Sequence, residues 1–211
     1  EYGTPTFVFD VREFWQRLDK IADIFGEGVR LCFAMKANPF LAAAAADHGE
    51  RLEVCSPGEL AICEDVGISA NQIVYSGVNK QASDIACAIA YRVSVLTAES
   101  KLHVDLIEQC AAQAQTTVDV LLRLNAGSQF GMSKDDLLEV IDRRESYPHL
   151  NIVGLHYFVG TQRKKLKHQI RELEKLRALI AELEDEHGFE VQRLEYGPGL
   201  AVPYFADDDF T

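Results

Sequence analysis

The stretch LCFAMKANP, residues 31–39, places a lysine directly after an apolar run. The run predicts a buried strand over 30–35, and the Asn-Pro pair beyond the lysine ends it. Burying an ammonium group is costly unless it is paired or loses its proton. Lys36 therefore either extends its charge to solvent from a strand end or has a chemical function.

The rest of the chain repeats this alternation of short apolar runs and helical patterns. Predicted strands occupy residues 6–9, 30–35, 51–55, 72–75, 92–96, 118–124, 152–158 and 193–196. Several of them are apolar throughout, which is typical of parallel strands covered on both faces. Alternating strands and helices permit either a doubly wound sheet or a (β/α)8 barrel.

The helices between the strands carry recognisable start and stop signals. Asp10, Ser56 and Ser133 stand at N-cap positions, and Glu59 completes a capping box with Ser56. A long helix over 164–187 ends at Gly188. Its apolar stripe permits a coiled coil but favours packing against the sheet.

The unusual residues lie where predicted strands end. These residues are Lys36, Glu53, Ser76, Arg123, Phe158, Gly160, Thr161, Gly197 and Gly199. A doubly wound sheet usually draws its site from the few strands around one crevice. A barrel collects residues from many strand ends on one rim, so we predict a TIM (β/α)8 barrel.

Charge and composition narrow the possible partners. Acidic residues outnumber basic ones by 33 to 21, giving a net charge of −12. Such a surface repels nucleic acid and anionic membranes, so we expect neither as a partner. The basic run RKKLKH, 163–168, is the exception, and a solvated helix face explains it better than an anion site.

The cysteines favour a reducing environment. The five cysteines include no C-x-x-C pair and no zinc-finger spacing, so we expect no metal site. A cytoplasmic location is the simplest expectation. Cys32 and Cys55 lie within predicted strands and are expected to be small core residues.

Three charged residues at strand ends suggest catalysis. In a dry barrel mouth, desolvation would lower the pKa of Lys36 and free its amine to form a Schiff base. Arg123 ends the run VDVLLRLN and needs an anionic neighbour or ligand. Glu53 is a possible partner of Arg123, or it balances positive charge on a cofactor and a substrate amine.

The last two strand ends resemble a phosphate-binding site. VGTQ, 159–162, contains Gly160 and Thr161, and EYGPGLAVPY, 195–204, contains Gly197 and Gly199. Glycine-rich loops after late barrel strands commonly bind phosphate. A strand-end lysine together with such loops predicts a ligand with an aldehyde and a phosphate, namely pyridoxal 5'-phosphate.

Ordered motifs along the whole chain resemble one protein family. They are YGTPTFVFD, FAMKANP, LEVCSPGEL, IVYSGVNK, LLRLN with SQFGM, GLHYFVGTQ and YGPGLAVPY. The chain is similar to the fold-type III pyridoxal-phosphate decarboxylases, typified by diaminopimelate and ornithine decarboxylases, whose barrel is related to that of alanine racemase. The resemblance implies decarboxylation of a diamino acid such as diaminopimelate through a Schiff base on Lys36.

The resemblance also implies roles for individual residues. Lys36 corresponds to the Schiff-base lysine, Glu53 to an acidic residue beside it, and Arg123 to an arginine at the cofactor ring. The other implied cofactor contacts are Ala34, His156, Phe158, Gly160, Thr161, Gly197 and Gly199. Glu59 corresponds to a glutamate near the active site, although its capping role explains it equally well.

Three substitutions depart from the family pattern. Phe158 stands where a histidine usually stacks on the pyridine ring, while His156 keeps the preceding histidine. Phe158 can stack but cannot carry charge. Pro198 replaces the middle glycine of a triplet and removes one N–H donor. Gln129 replaces a frequent lysine.

The resemblance further implies an incomplete barrel. We expect residues 1–10 to provide a strand of a β-domain and residues 11–211 to form the cofactor-binding barrel, without the eighth strand. The β-domain normally completes the active site across a homodimer, so this chain alone is expected to be weak or inactive. A racemase on the same fold and a non-catalytic cofactor-binding relative remain alternatives.

Overall fold

The computed structural model describes residues 2–205 and 207–208. Parallel strands and helices alternate along the chain. The strands are β1 (Cys32–Ala34), β2 (Arg51–Val54), β3 (Ile73–Tyr75), β4 (Val95–Ala98), β5 (Val118–Arg123), β6 (Leu150–Phe158) and β7 (Arg193–Gly197). The α-helices are α1 (Val11–Phe25), α2 (Ala42–Asp47), α3 (Pro57–Asp65), α4 (Ala82–Tyr91), α5 (Lys101–Gln113), α6 (Lys134–Asp142) and α7 (Leu166–His187).

The strands form one sheet in the order β1-β2-β3-β4-β5-β6-β7, and each adjacent pair is parallel. This is the strand order of a (β/α)8 barrel interrupted before its last strand, as predicted. The carboxyl ends of all seven strands consequently share one rim. The last residues of the predicted barrel domain, 209–211, lie outside the described residues.

The local signals select the helix starts as expected. The Asp10 carboxylate accepts from the backbone N–H of Arg12, and the Ser56 hydroxyl accepts from that of Glu59. The Glu59 carboxylate in turn accepts from the N–H of Cys55 at 2.7 Å. Capping thus accounts for Glu59 through observed contacts.

Two sequence-based expectations need correction. Residues 6–9 form no strand, and Phe7 and Val8 are exposed. The predicted stripe of α7 packs only in its C-terminal half, where Leu176 and Leu183 are buried. Apolar residues in the first half of α7 are exposed: Leu166, Ile170 and Leu173.

The main core lies between the helices and the outer face of the sheet, and includes Leu52, Leu96 and Leu155. A smaller cluster of Val74, Val95, Leu121 and Val153 packs separately from it. Because side chains alternate along a strand, residues of one strand are divided between these two environments. The central strands β3 and β4 are buried along their whole length, which holds the middle of the rim in place.

Candidate active site

Lys36 lies just beyond the rim end of β1. It occupies a single 3-10 turn, Met35–Ala37, rather than the strand itself. The parallel register places Ala34 opposite Glu53, so Lys36 reaches the carboxylate on the neighbouring strand. Its Nζ donates to Glu53 Oε2 at 3.0 Å. The structure thus pairs the two residues that the sequence predicted to share a site.

The protonation of Lys36 differs from the expectation. Burial lowers its pKa, but the charge of Glu53 raises it, and the net pKa lies above the ordinary value. The Lys36 side chain also keeps 49% of its exposed area, which limits desolvation. The prediction of a desolvated amine with a lowered pKa is therefore wrong, because the groups paired with Lys36 outweigh the effect of burial.

Glu53 is held ionised by its neighbours. Burial raises the pKa of Glu53, but His156 and Lys36 together lower it to about 2. Lys36 contacts Oε2, and His156 Nε2 lies 3.7 Å from Oε1. A carboxylate between two nitrogen groups can stabilise positive charge on whatever Lys36 carries.

Arg123 is paired with a residue that the sequence analysis missed. Its Nη1 donates to Glu99 Oε1 at 2.7 Å, and both side chains are buried. The suggested Glu53–Arg123 pair is therefore wrong. Glu99 directly follows β4, but the predicted strand ended at residue 96, which concealed its position at the rim. The fixed guanidinium also lies 5.4 Å from the centroid of the Phe130 ring.

Lys80, in the segment IVYSGVNK, was also missed. It is only 5% exposed, and its Nζ donates to the carbonyl oxygen of Gly77. Burial lowers its pKa to about 8, although the charge of Glu99 opposes this. The structure therefore contains a second amine near the rim, with the depressed pKa that the sequence analysis assigned to Lys36.

Phe158 and Cys55 lie beside the Lys36 amine. The centroid of the Phe158 ring is 5.5 Å from Lys36 Nζ, close enough for a cation–π contact. Cys55 Sγ lies 3.7 Å from the same nitrogen. Cys55 is therefore a residue of the site rather than of the core, which corrects the prediction. Burial raises the pKa of its thiol to about 12, so it is neutral.

The two predicted glycine turns come together at the ends of β6 and β7. Arg163 N–H donates to the Gly199 carbonyl at 2.9 Å, which connects them. Gly199 has φ +60°, and a Cβ there would collide with the Gly160 carbonyl oxygen. A Cβ on Gly160 would meet nothing within 4 Å, so space remains beside this backbone. The close backbone approach and the open space fit a bound phosphate group.

An ion pair fastens these turns to α7. Arg163 Nη1 donates to Glu172 Oε2 at 2.7 Å and to the Pro198 carbonyl at 3.3 Å. Tyr196 donates from its hydroxyl to the same carboxylate at 3.0 Å. Arg163 is therefore half-buried and structural, so the solvated helix face predicted for the basic run does not describe this residue.

The glycine turns also touch the aromatic residue of the site. Phe158 lies opposite Gly197 in the β6–β7 register. A Cβ on Gly197 would lie 2.5 Å from Phe158 Cδ2, so glycine permits this ring position. Phe158 consequently lies between the glycine turns and Lys36.

Comparison with known proteins agrees with this geometry. A model of the pyridoxal-dependent decarboxylase, pyridoxal binding domain, matches residues 11–211. The chain belongs to this family. Its fold and its family are therefore those that the ordered motifs predicted.

Individual relatives share its whole length. A diaminopimelate decarboxylase from Zymomonas mobilis is 30% identical, and the match covers 98% of this chain and 54% of the relative. Diaminopimelate decarboxylase from Mycobacterium tuberculosis is 29% identical, with 99% and 52% covered. The chain thus spans about half the length of the curated relatives that it matches.

Solved structures show the same fold. The crystal structure of AQ1208 from Aquifex aeolicus has a TM-score of 0.82 at 25% identity, covering 94% of this chain and 49% of that one. Diaminopimelate decarboxylase from M. jannaschii, crystallised with L-lysine, has a TM-score of 0.84 at 24% identity, covering 94% and 51%. In the part of the chain that the structure describes, no helix combines the length and apolarity needed to span a membrane.

Proposed function

We propose that this chain is the cofactor-binding part of an amino-acid decarboxylase that uses pyridoxal 5'-phosphate. Its substrate is a diamino acid, with diaminopimelate as the first candidate. The observation that carries the proposal is the position of Phe158, between the Lys36 amine and the glycine turns. One flat ligand with an aldehyde and a phosphate would reach both. The relatives' names support the reaction and the substrate.

Each residue has a distinct role in this proposal. Lys36 would hold the aldehyde carbon, and Gly160, Thr161, Gly197 and Gly199 would hold the phosphate. When bound, the cofactor supplies an electron sink for the charge left as the α-carboxylate departs as carbon dioxide. Ala34 lines the wall beside Lys36.

The protein's own groups orient the reacting amine and stabilise charge. Glu53 keeps a proton on the nitrogen of Lys36 through its 3.0 Å contact. Arg123, fixed by Glu99, presents a positive charge that does not need to reorganise. Phe158 offers an apolar face for the cofactor ring in place of a charged imidazole.

The proposal includes a cytoplasmic homodimer in which residues 1–10 join a β-domain. The exposure of Phe7 and Val8 supports this, because such side chains suit a covering domain. Light scattering of the full-length protein tests the dimer, and urea denaturation with and without residues 1–10 tests whether these residues join the β-domain. A monomer whose stability is unchanged by the deletion would contradict both points.

Trapping experiments test the cofactor site. We expect borohydride reduction of the protein loaded with pyridoxal 5'-phosphate to leave a pyridoxyl group on Lys36, identified by peptide mass spectrometry. Lys36→Ala should abolish the label. Lys80→Met, at the other rim amine, is the matched control and should keep it. A label on Lys80, or no label in the wild type, would refute the assignment.

Product analysis tests the reaction. Full-length protein should release carbon dioxide from diaminopimelate within a panel of amino acids. Loss of optical activity without carbon dioxide would identify a racemase instead. Covalent loading without turnover of any panel member would identify a non-catalytic relative.

A further inference from the structure

Glu195 is a partly buried carboxyl group to which neither the sequence motifs nor the proposed reaction assigns a role. It lies on β7 opposite His156 of β6 in the parallel register. Its side chain keeps only 13% of its exposed area. A buried carboxyl group is costly to ionise unless its neighbours compensate, so its contacts are informative.

Glu195, His156 and Glu53 form a compact cluster. One donor or acceptor atom from each lies within 4.8 Å of those of the other two. His156 is 4% exposed, and its Nε2 lies 3.7 Å from Glu53 Oε1. Its Nδ1 has no hydrogen-bond partner among the described residues. The imidazole is thus enclosed between two carboxyl groups.

The pKa values of the two carboxyl groups shift in opposite directions. Burial raises the pKa of Glu195, and the charge of Glu53 adds to this effect. Glu53, in contrast, has its pKa lowered to about 2 by His156 and Lys36 against the effect of burial. Neighbouring carboxyl groups whose pKa values shift in opposite directions take different roles. Glu53 stays ionised, whereas Glu195 takes up a proton more readily.

Other charged and titratable groups face the cluster from β7 itself and from other strands of the sheet. Arg193 Nη2 lies 3.5 Å from Glu195 Oε2. Arg51 also acts on Glu195, and Cys32 of β1 lies close enough to be affected by both Glu195 and Glu53. Lys36 is on the far side of Glu53. The cluster therefore links the barrel interior to the Lys36 amine.

We propose that Glu195 and His156 are positioning residues for the Lys36–Glu53 pair. Glu195 orients the imidazole of His156, and His156 holds one oxygen of Glu53 so that the other faces Lys36. The catalytic meaning of this arrangement rests on the proposed function. The arrangement itself concerns only side chains of this chain and can be tested without the cofactor.

The test measures the pKa of the Lys36 amine in the cofactor-free full-length protein, by reductive ¹³C-methylation and NMR. We expect Glu195→Gln and His156→Gln each to lower this pKa by about one unit. Without these residues the Glu53 carboxylate is held less firmly against Lys36 and stabilises the ammonium less. The double variant should resemble His156→Gln alone, since Glu195 acts through His156. Glu190→Gln, an exposed glutamate near the start of β7, should change nothing.

Glu195→Asp separates positioning from charge. It keeps the carboxyl group but shortens the side chain, so positioning predicts a lowered pKa and a pure charge effect predicts the wild-type value. An unchanged pKa of Lys36 in the folded Glu195→Gln variant would overturn the proposal. Additive changes of this pKa in the double variant would do the same. So would stoichiometric binding of Zn²⁺ that requires Glu195, because the cluster would then be a metal site. Borohydride trapping tests the proposed function separately.

Discussion

Lys36 and Lys80 lie beyond two parallel strands of the same rim, β1 and β3, but the pKa values of their amines shift in opposite directions. Lys36 is half exposed and paired with Glu53, and its pKa is raised. Lys80 is buried, donates to a neutral carbonyl oxygen and has its pKa lowered to about 8. Burial and the charge of the partner, rather than the position at a strand end, therefore decide how strongly each amine holds its proton.

The contrast separates two properties that the sequence analysis combined in one residue. The depressed pKa belongs to Lys80, whereas Phe158 lies beside Lys36 and connects it to the glycine turns. Lys36 is thus prepared to carry a positive charge, which suits a group that remains protonated while bound to a carbonyl compound. Substitutions of Lys80 and of the neighbours of Lys36 test this division.

Replacing the buried lysine should give the largest change in stability. The pKa of Lys80 is about 8 in the folded protein and 10.5 as its ordinary value. The unfolded chain binds more protons between these values, so burial of Lys80 destabilises the fold at neutral pH, and stability rises as pH increases from 8 to 10.5. We expect Lys80→Met to increase the free energy of unfolding by about 3 kcal/mol at pH 7.

Urea denaturation between pH 7 and 10 measures this gain, which should shrink as the pH rises. Lys101→Met is the control, since Lys101 is exposed and paired with Asp136 and Glu139. It should change stability little. A Lys80→Met protein that is less stable than the wild type at pH 7 would show that the ammonium is well compensated.

Removing the partner of Lys36 should have a somewhat smaller effect of opposite sign. The pKa of Glu53 is lowered from 4.5 to about 2 on folding, so its stabilising contribution is present above pH 4.5 and disappears as the pH falls through 2. We expect Glu53→Gln to decrease the free energy of unfolding by about 2 kcal/mol at pH 7, less than the full shift implies because Lys36 is half exposed.

The free energies of unfolding of wild type and Glu53→Gln, measured by urea denaturation between roughly pH 7 and pH 2.5, should therefore converge as the pH falls. Glu190→Gln serves as the exposed control. A difference in the free energy of unfolding that stays constant down to the lowest pH would mean that the Glu53 charge does not support the fold.

Removing the thiol should have the smallest effect. Cys55 Sγ is 3.7 Å from Lys36 Nζ, but burial raises the pKa of its thiol to about 12, and the Glu53 carboxylate acts more strongly on Lys36 than this thiol does. We expect Cys55→Ala to change the pKa of Lys36 by only a few tenths of a unit, measured by the same ¹³C-methyl NMR. A change as large as that of Glu53→Gln would show that the thiol, and not the carboxylate, controls the amine.

Much of the site was predictable because parallel strands end on a common rim. Lys36, Glu53 and Arg123, together with the turns at Gly160 and Gly199, were found because each lies close to the end of a predicted strand. Glu99 escaped because its strand was predicted to end two residues early, and Lys80 because several residues separate it from the end of β3. Their roles as ligands of the cofactor stay predictions.

The alternation of strands and helices, the helix caps and the family were readable from the chain, because they depend on local patterns and ordered motifs. The pairing of charges became evident from the folded sheet: Lys36 with Glu53, Arg123 with Glu99, and His156 between two carboxyl groups. A pKa depends on distances between side chains on strands that are far apart in sequence, and those distances are set when the sheet forms.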